Sequence, residues 1–148
     1  MKIEQARLGD ASAISACVCS AYEKYVERMG KEPGPMVDDY DARIRGDHVW
    51  VVRKNGNVAG ALVIIATPER CLLDNVAVSP RYAGLGIGKQ LVRFAENWAR
   101  DNGYDDIVLY THERMTENLG MYQAWGYVEF DRISEKGFDR IYMRKSVA

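Results

Sequence analysis

No apolar run in this 148-residue chain approaches the roughly 20 residues that span a bilayer, so no membrane partner is expected. The first ten residues, MKIEQARLGD, lack the apolar stretch of a signal peptide, and a cytoplasmic location is the default expectation. Charge of one sign is missing as well. Twenty Lys and Arg stand against 21 Asp and Glu, with no basic excess to draw nucleic acid or an anionic membrane surface. Cysteine is scarce: Cys17, Cys19 and Cys71 form an odd set without metal-ligand spacing. Cys17 and Cys19 fall in a helical pattern, so all three read as reduced residues in or near the core, and no metal is expected. No repeat, linker or low-complexity segment interrupts the chain. What remains is 47% apolar and 28% charged, a soluble globular composition. The length suits one domain over residues 1–148 and is too short for two ordinary ones.

The elements can be read in order. KIEQARL alternates modestly and predicts a first strand ending at Gly9. Asp10 then stands as N-cap of a helix with Ile14, Cys17, Val18, Ala21, Tyr22 and Tyr25 on one face. That helix should stop near Gly30, before the turn chemistry of GKEPGP. A shorter helix is expected over VDDYDARIR. HVWVVRK and NVAGALVII are strand-like runs joined by Asn55-Gly56, a strong hairpin signal. CLLDNVAVS is a further strand closed by Pro80. A helix follows with apolar residues at 87, 91, 94, 95, 98 and 99 and a stop at Gly103. DIVLYT reads as a strand, TENLGMYQAW as a short helix, and YVEFDRI with FDRIYMRK as a closing pair of strands. The succession β-α-α-β-β-β-α-β-α-β-β predicts an α/β fold of α+β character: a mixed, mostly antiparallel twisted sheet flanked by helices. The unit around residues 71–111 supplies its parallel pair.

Glycines at 84, 86 and 88 separate the CLLDNVAVS strand from the long helix. Glycine admits positive φ and lets a ligand approach the backbone. A glycine loop feeding a helix N-terminus exposes unpaired N–H groups at the positive end of the helix dipole, which suits phosphate oxygens. A plain tight turn is the simpler alternative, but it needs one glycine rather than three. The nucleotide P-loop template fails twice: Ala83 stands at its first glycine, and Gln90 replaces the hydroxyl that would hold magnesium. The dinucleotide fingerprint fails because the glycines run Gly-x-Gly-x-Gly in mid-chain. A phosphotransferase is disfavoured accordingly.

NVAVSPRYAGLGIGKQLV is similar to the acyl-CoA-binding segment of the GNAT N-acetyltransferase superfamily, and MTENLGMYQAWGY is similar to that family's later helix, which ends in Tyr, a short spacer, Gly and an aromatic. The element order also fits, so the resemblance covers essentially the whole chain. It implies an acetyl-CoA-dependent N-acetyltransferase that moves an acetyl group to a primary amine by direct transfer in a ternary complex. The alternative is a non-catalytic CoA-binding sensor or partner module of the same fold. Aligned so that Ile87 begins the apolar stripe, Ala83 stands where Arg or Gln is usual, which removes one side-chain contact near the pyrophosphate. Main-chain donors of Ala83, Gly84, Leu85, Gly86, Ile87, Gly88 and Lys89 remain, and Lys89 is either a phosphate contact or an ordinary solvated lysine. The resemblance further implies that the strand Val76-Ala77-Val78 splays from its neighbour and pairs with the pantetheine amides through its main chain.

An alkyl amine near pKa 10.4 is mostly protonated at neutral pH, so acetyl transfer gains from a base. The departing thiolate gains from an acid. Tyr122 matches the family's tyrosine, and a phenol holds a transferable proton at neutral pH. Asn118, four residues earlier on the same helical face, is a candidate cofactor contact. Asp74 and Asn75 interrupt an apolar strand, and alternation sends them to opposite faces; Asp74 is the preferred base, with His112 as runner-up and water alone as a third option. Acceptor recognition in the family usually falls to the first two helices and the closing hairpin. Tyr22, Tyr25, Arg28, Tyr40 and His112 are the candidate substrate residues, with Asp38 and Asp39 available for an amine. The acceptor is expected to be a small-molecule or peptide amine, and the closing strands offer an edge for a homodimer.

Overall fold

β2 (His48–Lys54) and β3 (Asn57–Ala66) carry apolar residues at consecutive rather than alternating positions, so both of their faces need cover. In the computed structural model, which describes residues 1–148, both faces have it. Val49, Val51, Ala61 and Val63 turn towards α1 (Ala11–Met29) and α2 (Tyr40–Gly46), forming one cluster with Ile14, Cys17, Val18 and Tyr40. Trp50, Val52, Leu62 and Ile64 turn the other way, to α3 (Ile87–Asp101), and join Ile87, Leu91, Val92 and Ala95. Each fully buried aliphatic side chain contributes about 1.5–3 kcal/mol, which holds the helices to both sides of the sheet.

The remaining elements are β1 (Ile3–Gln5), β4 (Cys71–Val78), β5 (Asp106–His112), α4 (Thr116–Ala124), β6 (Val128–Glu135) and β7 (Phe138–Ser146). Short 3-10 turns aside, their order is the expected one. The strands form one sheet ordered β1-β2-β3-β4-β5-β7-β6. Only β4 and β5 run parallel, joined by the α3 crossover. The β2–β3 turn has Asn55 at φ 53° and Gly56 at φ 78°, two successive positive values, as a type I′ hairpin requires. No helix is long and apolar enough to cross a membrane.

Three local expectations shift. The first strand ends at Gln5 rather than Gly9, because a 3-10 turn over Leu8–Asp10 intervenes. Asp10 does precede α1, but its carboxylate does not cap the helix. It accepts both oxygens' worth of bonds from Arg53 Nη2 at 2.9 and 2.8 Å and one from the Arg7 amide at 2.8 Å. The guanidinium is the stronger partner for a carboxylate, so Asp10 clamps the start of α1 to β2. The second helix starts at Tyr40, where Asp39 accepts from the Ala42 amide at 3.1 Å.

Gly60 has a role its neighbours in β3 do not. A Cβ there would lie 2.8 Å from Ile87 Cγ2 and 3.1 Å from Leu91 Cδ1. Its hydrogen lets the first turn of α3 settle on the sheet, which fixes where the glycine loop ends.

Candidate active site

β4 and β5 are paired only at Leu72↔Val108 and Leu73↔Leu109. Beyond that point β4 runs on to Val78 and β5 to His112, and the sheet opens between them. The Ser79 amide donates to Ala59 O at 2.8 Å. Antiparallel alternation then commits the main chain of Ala77 to its partner Ala61 on β3 and turns that of Val76 and Val78 to the opening. The Tyr22 hydroxyl reaches Val76 O at 3.4 Å from that open side. Ala77 was expected to contribute main-chain groups to a ligand; it contributes only a buried methyl.

The glycine loop follows. Gly84 and Gly86 sit at φ 81° and 78°, and α3 begins at Ile87. The Ala83 amide is taken by Pro80 O at 3.2 Å, and helical bonding starts with Gln90 N to Gly86 O at 3.1 Å. Between them, the N–H groups of residues 84–89 have no acceptor in the protein. The donor array therefore starts one residue later than expected, since Ala83 is spent closing the preceding turn. Ile87 is buried and pins this array, while Leu85 and Lys89 are exposed.

Two cavities meet in the opening. A groove between β4 and α4 is lined by Tyr25, Val78, Gly88, Val92, Met121 and Trp125 among others. A cleft on the far side is lined by Pro33, Asp74, Tyr110, His112, Phe138 and Arg140 among others. Tyr22, Val76, Asn118 and Tyr122 line both. Tyr122 is buried with its ring edge-on to Trp125 and Tyr127. Every fully enclosed polar side-chain atom has a partner, and the Tyr122 hydroxyl bonds to no protein group, so it opens onto the shared space. Burial, and after it the nearby Tyr25 hydroxyl, push this phenol up and keep its proton in place through neutral pH. Asn118 Oδ1 accepts from the Tyr25 hydroxyl at 3.5 Å.

The strand register explains the polar pair in β4. Val63 pairs with Asn75 and Ile64 with Leu73, so Asp74 is bulged out of the ladder. A bulge breaks the two-residue period. Leu73 packs in the α3-side cluster and Ala77 in the α1-side cluster although they are four residues apart. Asp74 and Asn75 consequently enter the same cleft instead of opposite faces. Asn75 is 3% exposed; its Oδ1 accepts from Tyr22 at 3.0 Å and its Nδ2 donates to the Tyr40 hydroxyl at 3.1 Å. Asp74 Oδ1 accepts from the Tyr110 hydroxyl at 3.2 Å. Burial raises the Asp74 carboxyl above its ordinary value, against the pull of Arg43.

Other candidates are placed differently from expectation. Tyr40 does not line the cleft; its hydroxyl donates to Pro35 O at 2.5 Å and its ring is core. Tyr25 faces the groove, not the acceptor side. Arg28 is exposed and donates to Glu117 at 2.6 Å, tying α1 to α4 across the opening. Asp38 is held by Arg43 at 2.8 Å and Asp39 caps α2, so neither is free for an amine. His112 does line the cleft, but its Nδ1 accepts from the Arg114 amide at 3.0 Å. The neutral ring then carries its proton on Nε2, and with Nδ1 already engaged neither ring nitrogen is free to take a proton. Burial also lowers its pKa.

Sequence reasoning missed Asn75 as an anchor, and Tyr110, Phe138 and Arg140 as lining. Phe138 and Arg140 are two apart on β7, so period-two reading of the closing hairpin would have put them on one face.

The model of the Acetyltransferase (GNAT) family matches residues 18–127. N-acetyltransferase family 8 member 2 of Rattus norvegicus is 33% identical over 84 residues, 53% of this chain and 37% of that protein. N-acetyltransferase 8B of Homo sapiens is 31% identical over 88 residues, 55% of this chain and 39% of that protein. The chain thus spans well under half the length of these curated relatives. Among solved structures, a GNAT family acetyltransferase from Elizabethkingia anophelis with acetyl-CoA bound superposes with a TM-score of 0.74 at 19% identity, over 98% of this chain and 97% of that one. The paia N-acetyltransferase of Thermoplasma acidophilum in complex with coenzyme A gives a TM-score of 0.78 at 16% identity, over 99% of both chains. With the family match covering both the glycine loop and Tyr122, the chain belongs to the GNAT acetyltransferase family.

Proposed function

We propose that the protein is an acetyl-CoA-dependent N-acetyltransferase that moves an acetyl group to a primary amine by direct transfer with both reactants bound. The observation that carries this reading is the meeting of the two cavities at Tyr22, Val76, Asn118 and Tyr122. One chamber has a row of free amides at its mouth, and the other has a half-buried carboxylate.

The residues present fit acetyl-CoA. The free amides of residues 84–89 at the start of α3 suit a diphosphate, with Lys89 beside them. The main chains of Val76 and Val78 meet no neighbouring strand on the open edge of β4, where pantetheine amides would add like a strand. When bound, acetyl-CoA supplies the thioester whose acyl carbon accepts the amine. Asp74, raised by burial and open to the acceptor cleft, draws the proton from the incoming ammonium, directly or through water. A main-chain N–H on the open edge of β4 stabilises the carbonyl oxygen as it gains charge. Tyr122 gives its proton to the departing sulfur.

Following thiol release with acetyl-CoA and a panel of primary amines tests the reading. Amine-dependent release supports it. Tight CoA binding without release would instead identify a CoA-binding module.

Asp74→Asn separates chemistry from stability. The folded pKa of Asp74 lies above its ordinary 3.8, so the unfolded chain gives up this proton first as pH rises. Stability due to Asp74 therefore falls with rising pH above about 3.8 and stays low beyond the folded value. The Asn variant should melt at a higher temperature than the parent at pH 7, with the gap closing below pH 3.8, while its turnover drops. A lower melting point at pH 7 would contradict the burial argument.

A further inference from the structure

The cleft beyond Asp74 has a second pole. Arg140 on β7 lines it with a side chain only 12% exposed. Its Nη1 donates to Glu135 at 3.2 Å, but a guanidinium carries five N–H donors, and Glu135 is the sole protein acceptor it engages. Nη2 lies at the cleft wall, 3.8 Å from where a Cβ on Gly34 would stand. The ring of Tyr110 lies against the guanidinium at 4.3 Å, and the hydroxyl of the same residue donates to Asp74 at 3.2 Å. One tyrosine thus spaces a carboxylate from a cation and fixes both. The walls around them are apolar, from Met29, Pro33 and Phe138.

A cleft built for a simple amine gains nothing from a partly buried guanidinium, which repels an ammonium. We propose that the acceptor is an amino acid with an apolar side chain: its amine lies at Asp74, its carboxylate on the free donors of Arg140, and its side chain against Met29, Pro33 and Phe138. This rests on the acetyltransferase reading above and narrows its substrate class. In the step, the amine nitrogen bonds to the acyl carbon and the C–S bond breaks. The ammonium gives up two protons; sulfur gains one from Tyr122, which is reprotonated, and the other leaves to solvent. The products are an N-acetyl amino acid and free CoA.

The test compares twins that differ only in the carboxylate: L-phenylalanine, L-phenylalaninamide and 2-phenylethylamine, each assayed by thiol release for kcat/KM. The acid should be favoured over both twins by at least about 10-fold, the range of one charge-assisted bond. Arg140→Gln should bring the acid down to the level of the amide, so that the ratio of their kcat/KM values falls to about one. Glu135→Gln, which removes the negative charge of the guanidinium's protein partner but keeps the guanidinium, should retain the preference. Equal rates for acid and amide in the parent protein overturn the proposal without any variant, as does a preference for the amine. Release with the amine or amide alone would leave the acetyltransferase reading standing while the substrate class fell. Release with none of these or any other primary amine overturns both.

Discussion

Tyr122→Phe should lower turnover by on the order of 10²-fold, with CoA affinity changed less than about twofold and the melting temperature nearly unmoved. The reason is the unusual bonding of the hydroxyl. It makes no hydrogen bond to the protein yet sits where groove and cleft meet, so removing it leaves no orphaned partner and no lost cap. The ring, packed against Trp125 and Tyr127, stays in phenylalanine. Burial keeps the phenol protonated, so its proton is in place at the junction of groove and cleft when a thiolate departs. Turnover and CoA binding, measured together, separate an acid from a wall of the pocket. An unchanged turnover would remove Tyr122 from the chemistry.

Gly86→Val should raise the dissociation constant for CoA at least about 10-fold by calorimetry. Gly86 sits at φ 78°, where an L side chain costs about 1–2 kcal/mol and a β-branched one is a clear outlier. Nothing lies within 4 Å of a Cβ at this position, so the loss comes from the backbone turning rather than from a clash. Turning it misdirects the free amides of residues 84–89, which work only as an array. The melting temperature should fall by no more than several degrees, since about 1 kcal/mol shifts a domain of this size by about 2–4 °C or slightly more. Normal CoA affinity in a folded variant would show that the loop is a turn and nothing else.

The glycine loop and the tyrosine could be singled out as candidates before any coordinates. The glycines announced positive φ, and the apolar spacing from Ile87 announced the helix behind them. The family resemblance singled out Tyr122. The β2–β3 hairpin followed from Asn55-Gly56 because two successive positive φ values are a local demand. Asp10 shows the limit of the same method: its position before α1 was right, but Arg53, 43 residues away, took the carboxylate a cap would have used. Ala83 shows it again, spent on Pro80 by a turn whose closure the letters do not spell out.

The bulge at Asp74 is the sharpest case. Read as a plain strand, β4 places Asp74 and Asn75 on opposite faces; one unpaired residue against β3 turns both into one cleft. Tyr40 looked like acceptor lining and became the core prop of Asn75. Arg140 carried no signal in the sequence; the pairing of β7 with β5 brings it into the cleft that Asp74 lines.

The chain's letters settled its elements, their order and the glycine turn before α3, because helix period, strand alternation and glycine freedom act over a few neighbouring residues. Which polar side chains share a cavity was decided only by the assembled sheet. That depends on strand register, on where β4 and β5 part, and on which distant group reaches a carboxylate first, all of which are set by contacts between segments far apart in the chain.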